Sequence, residues 1–462
     1  MPRPSSNLHY EKFADGSVKC IEDEIPFDLP EGWAWVRLGS IAGMALGKML
    51  DGAKNKGSLR PYLRNINVRW GTFELSDVLE MRFEDSELER YSICHGDLVI
   101  CEGGEPGRCA VWQSEEVVFY QKALHRVRAI EVLPEYLYYV IRHFILSNQY
   151  ERYYTGTTIK HLTGQSLQIL PIPLPPLSEQ KSIVKILQRI IKSIDKIETE
   201  KNEALSLVSL AKSKVLDLAI RGQLVPQDPT DEPASILLER IRAEKEELIR
   251  QGRIKRDKRE SIIFRGEDNS YYEKIGKKIE NIDDEIPFEL PDGWMWCRGQ
   301  SCFEGMESTK PQGEFFDYID IDAIDNRLHR IKAAKHLRVS EAPSRASRAV
   351  KNGSVLFSLV RPYLENIALV EETHSRCIAS TGFYVCNSNG ILLPEFMFFL
   401  MISGYVVNGL NQYMKGDNSP SISKDNIESW LYPVPPLSEQ KTICAKLKTV
   451  FTLIQNVEKS LS

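Results

Sequence analysis

Pro175-Pro176-Leu177-Ser178-Glu179-Gln180-Lys181 returns later in the chain as Pro435-Pro436-Leu437-Ser438-Glu439-Gln440-Lys441. Proline has no N–H and pushes its predecessor toward extended geometry, so each diproline blocks helix on its N-terminal side. Ser178 and Ser438 fall where a first helical turn begins, with Glu179 and Glu439 near the positive end of the helix dipole. An apolar seam follows in both places. The first runs Ile183, Leu187, Ile190, Ile194, Ile197; the second runs Ile443, Leu447, Val450, Ile454, Val457. Steps alternating between four and three are the a/d spacing of a coiled coil. The first seam continues through Ala204, Val208, Ala211, Val215 and Leu218, with Lys201 on the stripe where the second has Leu461. Two such helices in matching register predict mutual packing, each buried Ile or Leu contributing about 1.5–3 kcal/mol.

The repetition extends outward from these helices. Glu24-Ile25-Pro26-Phe27-Asp28-Leu29-Pro30-Glu31-Gly32-Trp33 matches Glu285-Ile286-Pro287-Phe288-Glu289-Leu290-Pro291-Asp292-Gly293-Trp294, and Leu133-Pro134-Glu135 matches Leu393-Pro394-Glu395. An offset near 260 is far beyond the period of a solenoid, so the chain holds two copies of a whole domain. Each copy begins with a turn and a short strand whose tryptophans are core candidates. A variable stretch follows, 36–95 and 297–352. Next come two short strands around a glycine- and proline-bearing turn, then a helix after Pro134 or Pro394, then a loop leading to the diproline. Residues 222–233 are a helix stop and connection, 234–250 another helix, and 250–259 a basic run interrupted by Asp257. The expected division is 1–176, 177–222, 223–268, 269–436 and 437–462.

At 462 residues and net charge −5 the chain has ample core and no overall basic coat. Nine cysteines without paired CxxC spacing read as reduced thiols of a cytoplasmic protein. The N-terminus lacks an apolar signal core, and the greasiest run, 391–410, contains Pro394 and Glu395, so a buried helix is expected there rather than a membrane span.

No catalytic engine is visible. The chain has no phosphate loop, dinucleotide fingerprint, zincin motif, nucleophile elbow or amino-methyltransferase tetrapeptide. Local basic density stands out instead. Between Gly52 and Phe73 there is no acid, while Lys54, Lys56, Arg60, Arg64 and Arg69 recur beside Asn65 and Asn67. From Asn326 to Lys351 eight cations face one acid, Glu341. Lysine and arginine supply phosphate affinity, and Asn, Gln and Arg read base edges. The candidate DNA-binding residues are Lys54, Arg60, Arg64, Asn65, Arg108, Thr157, Thr158, Lys160 and His161 in the first copy. In the second they are Lys310, Arg327, Arg345, Arg348, Arg361, Asp417, Asn418 and Ser419.

The double Pro-Leu-Ser-Glu-Gln motif, the double Pro-x-Gly-Trp entry, Cys101-Glu102-Gly103-Gly104-Glu105-Pro106-Gly107-Arg108-Cys109, and the run from Leu218 through Arg221-Gly222-Gln223-Leu224-Val225-Pro226-Gln227 to Pro229 resemble the specificity subunit of type I restriction-modification systems. The resemblance spans nearly the whole chain. It implies two α/β (α+β) target-recognition domains separated by long antiparallel coiled-coil helices in a pseudo-two-fold arrangement. Each domain would read one half of a bipartite, asymmetric site on double-stranded DNA. It further implies two modification (methyltransferase) subunits and restriction/translocase subunits as partners. S-adenosylmethionine, ATP and magnesium would reside in those partners, with no cofactor or metal in this chain and no catalysis by it. The second helix ends near the repeat equivalent of Asn202, so it lacks the continuation seen in residues 203–220. A helical scaffold without DNA recognition and a self-sufficient methyltransferase are the rival expectations.

Overall fold

The computed structural model describes residues 8–53, 55–256 and 259–461. The chain divides into two compact units, one ending at Glu198 and the other starting at Thr199.

In the first unit Ala34–Arg37 pairs antiparallel with Pro171–Leu174, bringing the Gly-Trp entry beside the strand that precedes the diproline. One four-stranded sheet has the order Leu79–Phe83, Ser58–Leu63, Val118–Tyr120, Ser92–Ile93, with the middle pair parallel. A second is antiparallel throughout: Ala42–Leu46, Leu124–Ala129, Leu98–Cys101, Cys109–Val111. Helix α1, Pro134–Leu146, has proline at its first position and buries Leu137, Ile141 and Phe144 against the second sheet's core. Helix α2 is the 44-residue Leu177–Ile220, whose first half belongs to this unit.

The second unit repeats the plan. Lys335–Arg338, Phe315–Ile319, Ile378–Ser380 and Ala346–Ala349 form a sheet in that order, again with one parallel pair in the middle. Ile367–Leu369, Val355–Ser358 and Phe383–Cys386 form the second sheet, and Met295–Arg298 pairs with Leu431–Val434. The stretches that diverge most in sequence therefore keep the same strand order. Helix α3 is Ala234–Arg250. The helix after Pro394 is split into α4, Pro394–Met401, and α5, Gly404–Asn411, because Ser403 accepts the Val406 N–H and caps a new start. Helix α6 is Leu437–Leu461.

Both α2 and α6 start at the leucine after the diproline, one residue ahead of the serine. In α2, Ile183 and Leu187 are half-buried, while Ile190, Ile194 and Ile197 are exposed. In α6, Ile443 and Leu447 are fully buried, Val450 and Ile454 half-buried and Val457 exposed. Within the second unit the C-terminal half of α2 packs on α6. Leu216, Ala219 and Ile220 share a core with Ile443, Cys444 and Leu447. The Lys212 ammonium lies 5.3 Å from the Phe451 ring centroid, and Gln227 donates to Glu439, so the two helices run antiparallel. All nine cysteines are free thiols. Among the described residues no helix is long and apolar enough to cross a membrane.

The repeated motifs bond to one another. Gln180 and Gln440 are buried; each side-chain oxygen accepts the backbone N–H that precedes the following-proline helix, Leu133 at 3.0 Å and Leu393 at 2.7 Å. Each side-chain nitrogen donates to the first proline of its own diproline, Pro175 or Pro435, at 3.0 Å. The Trp33 indole donates to Glu179 and the Trp294 indole to Glu439, both at 2.8 Å. Arg37 is gripped by Glu11 and Glu24, and Arg298 by Glu273 and Glu285. Burial is the largest single influence on the Glu273 carboxyl and would raise it, but hydrogen bonding to the carboxylate and the Arg298 charge together outweigh it and hold it below its ordinary value of 4.5.

Two outcomes follow. Gln440→Leu leaves the Leu393 N–H and the Pro435 and Ile391 carbonyls without their partner, so the second unit should lose roughly 1–3 kcal/mol in denaturant unfolding. Because Glu273 is depressed in the folded state, its contribution is complete above 4.5 and is lost as pH falls below it. Thermal unfolding followed downward from about pH 6 should therefore be steeper for the wild type than for Glu273→Gln.

Candidate nucleic-acid interface

In each unit three loops converge at one end of the second sheet. In the first unit, residues 102–108 join Leu98–Cys101 to Cys109–Val111, with residues 64–73 on one side and residues 155–161 on the other. Glu102 accepts the Leu162 N–H at 2.8 Å, and the Tyr154 hydroxyl donates to the Pro106 carbonyl at 3.2 Å. Gly103 faces the His161 imidazole so closely that a Cβ there would stand 2.9 Å from it; one on Gly104 would stand 2.9 Å from the Asn65 amide. In the second unit Leu359 accepts the Ile422 N–H at 2.9 Å, the counterpart of the Glu102–Leu162 bond. Arg361 donates through its backbone to Pro420 and through its guanidinium to Asn418, both at 2.8 Å. Asn326 closes the third side by donating to Leu364 at 2.8 Å. Arg361 and Glu365 take left-handed backbone, φ 48° and 54°, which side-chain-bearing residues adopt at a cost.

The sequence-selected residues separate into two groups. Asn65, Arg108, Thr157, Thr158, Lys160 and His161 lie in the first three-loop cluster, and Arg327, Arg361, Asp417, Asn418 and Ser419 in the second. Arg60 lies on Ser58–Leu63 of the first unit's mixed sheet. Lys310, Arg345 and Arg348 gather at the edge of the corresponding sheet, where Ser308 bridges Arg348 and Thr309 bonds Ser347. Lys54 lies outside the described residues.

The structure also divides the cations by use. Arg64 is held by Asp77 at 2.7 Å, Lys160 by Glu151 at 2.6 Å, and Arg108 by Glu105 and the Asn65 carbonyl. These three stiffen the loops that carry them. Arg60, Lys310, Arg327 and Arg345 are exposed, and among the described residues no carboxylate pairs with them. An exposed, unpaired guanidinium or ammonium is what a phosphate needs.

Basic residues alone miss a further feature of the loop tips. Ile66 and Ile159 in the first cluster and Leu328, Tyr363 and Leu364 in the second are large apolar side chains left exposed. Apolar groups on a groove-facing loop suit the thymine methyl. Their sequence signal is an apolar residue inside a Gly/Asn/Pro-bearing loop, at odds with its polar neighbours.

His329 supports the second cluster from below. Burial and the positive charge of Lys212 push its imidazole down to about 4, and its Nε2 lies 3.8 Å from Glu365. Burial in turn raises the Glu365 carboxyl.

A family model described as the type I restriction modification DNA specificity domain matches residues 30–207 and 312–462. The chain belongs to this family. It is 24% identical to the EcoAI specificity subunit of Escherichia coli over 95% of this chain and 80% of that protein. It is also 24% identical to the EcoEI specificity subunit of Escherichia coli, over 96% and 82%. A chain from a structure concerned with complex assembly and conformational transition of the type I R-M system aligns over 94% of both chains with TM-score 0.64 at 18% identity, a likeness of fold. Membership places the chain among DNA sequence-specificity subunits and disfavours a helical scaffold without DNA recognition.

The neutral His329 gives a direct check. Its ring protons should titrate in NMR with a midpoint far below the ordinary 6.5; a midpoint at or above that value would show that the imidazole is not buried beside Lys212.

Proposed function

We propose that each unit reads one half of a bipartite DNA site through its three-loop cluster, with phosphates held by the exposed cations. The observation that carries this reading is the duplication itself. The bond from Leu162 to Glu102 recurs as the bond from Ile422 to Leu359, so the same platform is built twice, while the loop residues on it differ. Equal platforms with unequal side chains favour two different half-sites and an asymmetric target. Asn65, Arg108, Thr157, Thr158 and His161 would address one half; Arg327, Arg361, Asp417, Asn418 and Ser419 the other. Arg60, Lys310 and Arg345 would engage backbone phosphates, with the half-buried Arg348 beside them. Helices α2 and α6 would fix the gap between the halves, α2 measuring roughly 65 Å at about 1.5 Å per residue.

On this reading the chain performs no chemistry. It directs two modification subunits, which bring S-adenosylmethionine, and restriction/translocase subunits, which use ATP and magnesium, on double-stranded DNA in the cytoplasm. The lack of any catalytic motif in the sequence supports this division of labour.

Replacing Arg60 and Arg64 together by alanine tests the assignment of one unit to one half-site. Footprinting of the assembled complex should show weakened protection over one half only. Removing the Arg60 phosphate contact should also lower the slope of log affinity against log salt by about 1. Equal loss over both halves would contradict it.

A further inference from the structure

Both units have a cleft beside the strand that follows the Gly-Trp entry, and they furnish it differently. In the first unit its floor is Arg37, gripped by Glu11 and Glu24 and donating to the Ile169 carbonyl at 2.7 Å. In the second unit Arg298 lies between Glu273 and Glu285 and donates to the Ser429 carbonyl at 2.9 Å. The first unit adds two cations of its own. Lys19 reaches Glu24 at 2.8 Å, and the Arg152 guanidinium donates to the Asp23 carbonyl. Arg152 lines both hollows of this cleft, of about 320 and 450 Å³. The Tyr153 hydroxyl also donates to Glu24, at 3.3 Å. With these partners the Glu24 side chain is 16% exposed.

The second unit replaces these cations. Lys19 stands opposite Glu11 where Tyr10–Lys12 pairs with Val18–Cys20; Glu280 stands opposite Glu273 where Tyr271–Ile275 pairs with Lys278–Asn281. An acid, paired with Lys278, thus takes the place of Lys19. Gln412 takes the place of Arg152, and Tyr413 that of Tyr153, each 260 positions on. Among the described residues neither Gln412 nor Tyr413 bonds to Glu285, whose side chain is 54% exposed. The cleft here is a hollow of about 310 Å³, with Tyr405, Tyr413 and Trp430 around Glu285, Arg298 and Gln412. The Trp430 ring is central to the aromatic wall, its centroids 5.3 Å from Tyr405 and 6.2 Å from Tyr413. It is seated on Gly409, where a Cβ would stand 2.3 Å from the indole.

The geometry points to this cleft of the second unit as a binding site for the guanidinium of an arginine side chain, presented by a partner polypeptide. Aromatic faces attract a cation through their quadrupole, and a planar guanidinium can stack on them while it bonds a carboxylate. Tyr405, Tyr413 and Trp430 supply the faces, and Glu285 supplies the carboxylate. Glu273 and Glu285 share one guanidinium, Arg298, so the floor of the cleft carries net negative charge. The first unit indicates the occupant, because there the chain's own Arg152 lies in the equivalent place. A side chain from another polypeptide would stand where the second unit has Gln412. The site is independent of the DNA reading above, since none of its residues lies in the three-loop clusters.

The probe is N-acetylarginine N-methylamide, titrated into the full chain labelled with fluorotryptophan and followed by fluorine NMR. The Trp430 resonance is the one lost in Trp430→Phe. A saturable shift of that resonance with a midpoint of about 1–10 mM is expected. The citrulline analogue, which keeps the shape without the charge, should bind about tenfold more weakly. Glu285→Gln should weaken the arginine probe by a similar factor. Gln412→Arg installs the first unit's residue at an exposed position. It should abolish probe binding and move the Trp430 resonance toward its probe-saturated position with no probe present. Absence of a saturable shift up to about 50 mM, or undiminished binding to Gln412→Arg, would overturn the inference. Tighter binding of the lysine analogue or of spermidine would mark an ammonium site and overturn it as well.

Discussion

A buried glutamine at the start of each long helix holds the architecture together. Gln180 and Gln440 have no access to water, so their amides must find partners inside the protein. They find them in the diproline carbonyl behind and in the N–H ahead of the next helix. One side chain thereby fixes the angle between the strand that enters the long helix and the helix that packs on it. The indole–carboxylate bond of Trp33 with Glu179, or Trp294 with Glu439, fixes the remaining direction. Losing such a pairing costs more than its net contribution when intact, because a polar group is stranded in the core. The Pro-Leu-Ser-Glu-Gln and Pro-x-Gly-Trp words are thus two halves of one joint.

That joint explains why the clustered loops are free to differ. The clusters of residues 64–73, 102–108 and 155–161, and their counterparts in the second unit, sit on sheets of four and three strands whose shared strands keep one order despite divergent sequence. Each cluster is braced from within, by Arg108 and Tyr154 in one and by Arg361 and Asn326 in the other. The bracing residues differ between copies, but the backbone bond at the base of each cluster does not. Side chains at the tips can therefore vary without disturbing the scaffold, which is what a recognition surface built for different DNA words requires.

Much of this was legible before any coordinates. The duplication, the helix starts, the strand pair at 98–111 and the loop before each diproline were all marked by proline, glycine and apolar spacing. The partners of the motif residues were not, because Trp33 and Glu179 lie 146 positions apart and no local rule connects them. Nor does charge show its use in sequence: Arg60 and Arg64 are four residues apart on one basic stretch, yet one is exposed and the other is held by Asp77. The seam presented the opposite difficulty. Its spacing is uniform from Ile183 to Val215, but burial is not, because what covers each turn of a helix is set by tertiary neighbours. Ile190 and Ile194 meet solvent where Leu216 and Ile220 meet a core.

The central claim is that two similar platforms bearing different loops address two different words of one duplex. Sequencing the methylated positions in the genome of a host that carries this chain with its modification partner tests it most directly. The account predicts one motif made of two unlike specified words, separated by a fixed run of unspecified bases. A single uninterrupted motif, or two identical inverted words, would contradict it.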